Sequence, residues 1–363
     1  MELHNASKLQ ATYTGALYKD GRHGIVIVAK GSWQIPDDVS QTPKLLATKQ
    51  SLPIQETDTF TGEPGLSAPV WENDLATTKP VCDVIMHACA HAQNGAAEKQ
   101  VRVGLKLNQI NKQFIVTGSR QWQASTFGHS LTDPTPFRSQ EVSYDLAFGG
   151  TDLTHQDEGK TQVCMTNPIG RGYLPDHPSK TLDGRPGPQT EEADTPVTSA
   201  HRKYVPQSFG PIARNWEPRI HYGGTYDQHW MENIRPFLPD DFDERFYQCA
   251  PPDQQTKYLE GGELVELTGV SPRGTVTFHI PENGIYMAVI DGDGQEHELS
   301  PKADTLMIEP EYNRFSIVWR ADWPLRRSPE EVETILVGTP TKAWRRARML
   351  GKVFLPYKGK KIA

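Results

Sequence analysis

The chain has 363 residues, with 38 lysines and arginines against 45 aspartates and glutamates, a formal net charge of −7 and 36% hydrophobic residues. That length allows one large or two medium domains with a sizeable core, and no apolar run approaches the ~20 residues a membrane helix needs. The opening MELHNASKLQATYTG has neither the basic stretch nor the apolar run of a secretory signal, and Cys82, Cys89, Cys164 and Cys249 form no CxxC pair, so a cytosolic (cytoplasmic) protein with reduced thiols is expected.

Strand signals come first. Ile25-Val26-Ile27-Val28-Ala29 runs into Lys30-Gly31-Ser32-Trp33-Gln34-Ile35 as one long β-type segment. Residues 84–92, 101–107 and 114–118 follow, and 141–148 alternates as a strand does. Within 84–92, alternation puts His87, Cys89 and His91 on one face. Imidazole and thiolate suit zinc. No fourth ligand is apparent, however, and the alternating Ala88, Ala90 and Ala92 suit a packed strand, so a half-buried sheet face is the favoured reading. Arg120 and Trp122, just after a strand, suggest a cation–π pair or a structural role, and the structural role is favoured.

Residues 151–207 are polar and rich in Gly, Pro, Asp and Thr, without periodicity. They read as a long excursion from the β core, held by the turn Asn167-Pro168-Ile169-Gly170-Arg171-Gly172-Tyr173, with 191–196 its most flexible part. The turn lacks the strand–loop–helix setting and the Lys-Ser/Thr of a phosphate loop, so no nucleotide is expected there.

Residues 209–262 hold 10 of the 32 aromatic residues, together with six prolines and nine carboxylates, in 54 positions. Long irregular segments in compact domains are uncommon and are functional or disordered, and disordered segments are poor in aromatics. An ordered lid is expected, with its rings facing inward and its surface available for recognition. Within it, 240–250 reads as a helix, with Asp240, Asp241, Asp243 and Glu244 in the first turn and Pro251-Pro252 as its stop. Those carboxylates and Asp253 are also candidates for the acid/base pair of a carbohydrate-active enzyme. Helix-start capping and surface charge explain the first four more simply.

Strands return at 264–267, 275–280, 286–290, 305–308 and 315–320. The turns between them are Ser271-Pro272-Arg273-Gly274, Pro281-Glu282-Asn283-Gly284 and Asp291-Gly292-Asp293-Gly294. The last begins like a calcium loop but lacks the downstream glutamate, so it reads as a hairpin turn. Pro329 opens a short turn and 333–337 a strand. From Pro340 onward there are eight basic residues and no acidic one, which leaves 30 basic against 45 acidic in residues 1–339. An acidic body does not suit nucleic-acid binding. The basic tail can meet an acidic partner, nucleic acid or the body itself. Thr339 as cap and Pro340 as first residue would start a helix whose Ala343, Ala347, Leu350 and Phe354 share a face. Trp344, Arg345, Arg346 and Arg348 are the candidate partner contacts.

The organisation expected is a mainly β domain over 1–339 with an antiparallel sandwich or barrel-like core, long irregular insertions and few short helices, followed by a basic tail at 340–363. No GxSxG, HExxH or kinase signature occurs, and neither catalysis nor a cofactor is expected.

Eleven short blocks run in order over most of residues 20–338. They are Lys79-Pro80-x-x-Asp83-Val84, Gly118-x-Arg120-x-Trp122, Tyr144-Asp145-x-Ala147-Phe148-Gly149-Gly150, Asn167-Pro168-x-Gly170-Arg171-Gly172 and Phe209-Gly210-Pro211-Ile212. Then come Trp216-x-Pro218-Arg219, Gly224-Thr225-Tyr226-Asp227-x-x-Trp230, Leu238-Pro239-Asp240-Asp241-Phe242-Asp243, Ala250-Pro251-x-Asp253-Gln254, Gly261-Gly262-Glu263 and Val318-Trp319-Arg320. Together they resemble a bacterial family known as domain-of-unknown-function family twenty-one sixty-nine, found beside type VI secretion genes. The resemblance implies an adaptor or chaperone and not an enzyme: a loading factor that holds a toxic effector, often one with a PAAR-type tip domain, and helps place it on the VgrG spike. It transfers no catalytic residues. A structural component of the secretion apparatus is the further alternative. The chain departs from the family at Arg185-Pro186-Gly187-Pro188-Gln189-Thr190-Glu191, where relatives have a Leu-Pro-Asn-type stretch. The family has glycine near His87 to Cys89, which weakens the metal reading. The basic tail lies outside the resemblance.

Overall fold

Alternation along the strand His23–Gln34 sends Ile25, Ile27, Ala29 and Trp33 to one side and Val26 and Val28 to the other, and both sides are buried. A strand covered on both faces reads as a near-continuous apolar run, which is why this segment stands out in the sequence. The computed structural model describes residues 1–125, 128–153, 161–176, 178–282, 284–326 and 328–354. Lys358, Lys360 and Lys361 of the tail, Asn283 of one expected turn and part of the 151–207 excursion lie outside the described residues.

His23–Gln34 belongs to a six-stranded sheet in the order Gln255–Thr256, Cys82–Met86, Lys302–Glu309, Arg314–Pro324, His23–Gln34, Gln10–Leu17. A five-stranded sheet runs Thr190–Glu191, Ile110–Thr117, Gln100–Leu107, Leu264–Thr268, Val276–His279. A four-stranded sheet runs Glu2–Asn5, Val332–Val337, Met287–Asp291, Glu296–Glu298. One face of each contributes to a single apolar core, in which Phe278 stacks on Phe315 and Phe114 lies against Phe209. The other face of the six-stranded sheet is covered by Leu52 and Trp71 from one loop and Cys249 and Ala250 from another. The other face of the four-stranded sheet is covered by a helix, α2 (Lys342–Met349).

The fold is mainly β, as the sequence pattern indicates. The sheets are open and do not close into a barrel. Nor is the pairing all antiparallel: Cys82–Met86 runs parallel to Lys302–Glu309, and Glu2–Asn5 parallel to Val332–Val337.

Several local expectations are corrected. The run 84–92 is split, with Cys82–Met86 in the six-stranded sheet and Cys89–His91 paired to Ser139–Glu141. Alternation gives the face of a residue but not its neighbouring strand. Residues 141–148 are not one strand: Ser143 accepts the Asp145 N–H and caps a 3-10 turn, Tyr144–Leu146. Residues 240–250 form only a 3-10 turn, Glu244–Tyr247, capped by Asp243. Asp241 instead accepts both the N–H and the hydroxyl of Thr225 (2.9 and 2.7 Å), which draws that backbone toward another loop. Short polar side chains offer the backbone such alternatives to a helix. A short helix, α1 (Gln228–Asn233), was not anticipated; its signal is Asp227, whose carboxylate accepts the Trp230 N–H at 2.9 Å. Helix α2 starts two residues later than expected, with Thr341 as cap. Its buried residue is Trp344, whereas Ala343 and Leu350 are exposed. The hairpin turn at 291–294 forms as expected, with Asp291 accepting from the Asp293 and Gln295 N–H groups.

Candidate protein-interaction surface

The irregular segments are fixed from inside. Asn167 is fully buried, and its Nδ2 donates to the Tyr144 and Phe148 carbonyls at 2.9 and 3.0 Å. Gly149 adopts φ +148°, and a Cβ there would stand 2.2 Å from the Asn167 carbonyl oxygen, so only glycine fits. Gly150 and Gly170 lie in the same knot, which a short parallel pairing of Phe148–Gly149 with Arg171–Gly172 closes.

Arg120 is buried and donates to the Pro188 carbonyl and the Glu191 carboxylate, both at 2.7 Å. Glu191 is itself buried and accepts the Val197 N–H at 3.0 Å. The divergent stretch 185–191 is therefore held in place, and Glu191, expected in a flexible part, is an anchor. Trp122 does not stack on Arg120. It enters a separate cluster with Phe148, Cys164, Tyr173 and Leu182 and meets His129 edge-on at 5.2 Å.

The 209–262 segment is anchored the same way. Asp83, fully buried, faces the Lys79 ammonium at 2.7 Å and accepts from the Gln248 side chain and the Cys249 and Ala250 N–H groups. Burial works to lower the Lys79 pKa, but Asp83, with Cys249 and Asp304 nearby, outweighs it and holds the ammonium above the usual lysine range. Arg219 donates to the Ile212 and Phe246 carbonyls (2.6 and 2.7 Å) and to Glu72 at 2.8 Å. Trp216 is buried and packs edge-on against Tyr144. Asp253 pairs with Lys112 at 3.0 Å, and the adjacent Gln254 donates to the Val84 and Phe209 carbonyls. Buried charges are tolerated when they are paired and hydrogen-bonded.

The carboxylates considered for catalysis have separate structural partners or lie on the surface. Asp241 holds Thr225, Asp243 binds Arg245, Asp253 binds Lys112, and Asp240 and Glu244 are exposed. The proposed metal face is equally divided. His87 Nε2 bonds the Val70 carbonyl at 2.6 Å, and His91 Nε2 reaches Glu311 at 2.7 Å. Burial raises the Cys89 thiol pKa. Among the described residues no three His, Cys, Asp or Glu side chains are grouped to hold a metal ion.

The main exposed apolar feature of this segment is a lobe around α1. Phe209, Trp216 and Phe242 face inward as expected, but Tyr226, Met231 and Phe237 are 57%, 62% and 42% exposed. The lobe is nonetheless ordered by its own contacts. Tyr226 and Trp230 meet edge-on at 4.7 Å, and the Trp230 indole N–H donates to the Phe237 carbonyl at 2.9 Å. Asp227, Glu232, Asp240, His229 and Arg235 rim it, all exposed. An apolar, aromatic centre inside a polar rim is the anatomy of a protein interface. Met231 and Phe237 were missed in the sequence because they belong to no periodic run.

In the tail, Trp344 lies on Ala288, Ile290 and Leu336 and stacks on His4 at 4.4 Å. Arg345 makes a two-pronged ion pair with Glu296, and Arg348 binds Glu333 and Thr334 (2.5 and 2.9 Å). Three of the four expected partner contacts are therefore engaged with the chain's own body, and Arg346 alone of them is exposed.

These features define a mainly β protein with ion-paired loops and a fixed aromatic lobe. The family model described as "Uncharacterized protein conserved in bacteria (DUF2169)" matches residues 20–320, and the chain belongs to that family. No curated protein and no solved structure matches it. The matched span contains the anchored loops and the lobe and ends before α2. No helix among the described residues is long and apolar enough to cross a membrane.

Proposed function

We propose that this protein is a non-enzymatic adaptor that binds a type VI secretion effector, a toxin with or without a PAAR-type domain, and helps load it onto the VgrG spike. The observation that carries the reading is the lobe: Tyr226, Met231 and Phe237 are exposed yet held by Asp227, Asp241 and the Trp230–Phe237 hydrogen bond. A preordered apolar surface binds a partner without a further ordering cost. The engagement of Asp241, Asp243 and Asp253 with Thr225, Arg245 and Lys112 favours a structural role for these carboxylates.

The test is recovery of the tagged protein from its native cell with mass spectrometry of what accompanies it. An effector or spike protein in stoichiometric amount is expected. Tyr226→Ala with Phe237→Ala should weaken that complex by about 2 kcal/mol or more while the protein still melts cooperatively. Recovery of neither kind of partner would sink the proposal.

A further inference from the structure

Helix α2 is short, and its two sides are used differently. Trp344, Arg345 and Arg348 turn to the body and fix the helix on the four-stranded sheet. Lys342, Arg346 and Met349 follow one another at helical spacing along the outside, and Leu350 and Val353 continue the exposed surface past the helix end. Met349, Leu350 and Val353 are 87%, 58% and 86% exposed. Among the described residues no carboxylate pairs with Lys342, Arg346 or Lys352.

We infer that this outer face is a docking site for an acidic segment of a protein partner that also carries leucine-type side chains; the partner's identity as cargo rests on the adaptor reading. Charge complementarity chooses the occupant. Residues 340–363 contain no acidic residue, whereas 1–339 carry 30 basic against 45 acidic. An acidic segment is repelled by most of the surface and drawn to this one. The three exposed apolar side chains choose peptide over nucleic acid: they give a peptide's aliphatic groups a place to bury area, and a phosphate backbone offers them no match. The body's negative charge also opposes a long polyanion. Because α2 is fixed by two ion pairs and a stacked tryptophan, the stripe is presented as a set surface.

The probe is a labelled synthetic peptide of about 18 residues with glutamate and leucine at helical spacing, titrated into the full chain by fluorescence anisotropy at low and high salt. Binding at low salt that weakens with salt is expected. The triple variant Lys342→Glu, Arg346→Glu, Lys352→Glu should weaken it about tenfold or more, and so should Met349→Ser, Leu350→Ser, Val353→Ser. Neither should shift the melting temperature, and Tyr226→Ala should change nothing. Absence of binding, equal binding of a glutamate–serine peptide, or tighter binding of duplex DNA would each overturn the site. If cargo accompanies the wild-type chain and the charge-reversed chain equally well, this site fails while the adaptor reading stands.

Discussion

Arg120 and Glu191 are 71 positions apart and meet where neither is open to water. A guanidinium buried with one carboxylate and one carbonyl has no alternative partner if either is removed. Arg120→Met is expected to cost about 3–5 kcal/mol by leaving Glu191 charged and unpaired. Arg120→Met combined with Glu191→Leu should recover most of that loss, and urea unfolding of the three proteins measures it. Equal stability of wild type and single variant would mean that the pair carries no weight. The sequence marked Arg120 as structural, yet it placed Glu191 in a flexible stretch because the composition around it is that of a loop. A carboxylate's partner at such a separation leaves no trace in periodicity.

At the level of elements, the long strands were legible because their two faces differ in burial or are both covered. The helices were legible only in part: α2 forms within two residues of its expected start, whereas α1 has no counterpart in the sequence reading. Asp227, Asp243 and Ser143 cap turns through side-chain hydrogen bonds, and whether a capped turn continues depends on what the following residues meet in space. The apolar face expected for α2 was Ala343, Ala347, Leu350 and Phe354; Phe354 does pack against the body, but the largest side chain, Trp344, takes the buried place because it covers the most area. Trp344→Ala should therefore release α2 as a unit. Hydrogen exchange should show loss of amide protection in 342–349, with the strands of the four-stranded sheet unchanged. Retained protection there, or loss spread through the sheets, would contradict this account of how the helix is held.

Across the whole molecule, three sheets share one core, and the covering loops are fastened by buried polar side chains. His87 is one of them: its ring bonds the Val70 carbonyl and meets Trp71 edge-on at 4.1 Å. Burial lowers its pKa from the ordinary 6.5, with the Val70 bond opposing. Below pH 6.5 the unfolded chain takes up a proton that the folded one refuses, so the contribution of this group is present above that pH and is lost as pH falls below it. Thermal melts between about pH 7.5 and about pH 5.5 should show a falling midpoint, with a shallower fall in His87→Gln. Parallel slopes for the two proteins would remove His87 as the cause. Which sheet each strand joins, and which pairings are parallel, lay beyond the sequence, since alternation fixes a face and not a neighbour. The aromatic lobe was legible as an unusual composition, but the outward turn of Tyr226 and Phe237 depends on contacts with distant segments, such as the Phe237 ring against Gly21.

The buried pairs also govern how this architecture can vary. Arg120 with Glu191 and Arg219 with Glu72 each join one segment to another far along the chain. A recombination event that imported one loop from a divergent relative would bring half of a pair and strand the other half without water. The loops are therefore inherited as a matched set, and new binding properties have their easiest route through residues outside that set, on the rim of the lobe and the outer side of α2.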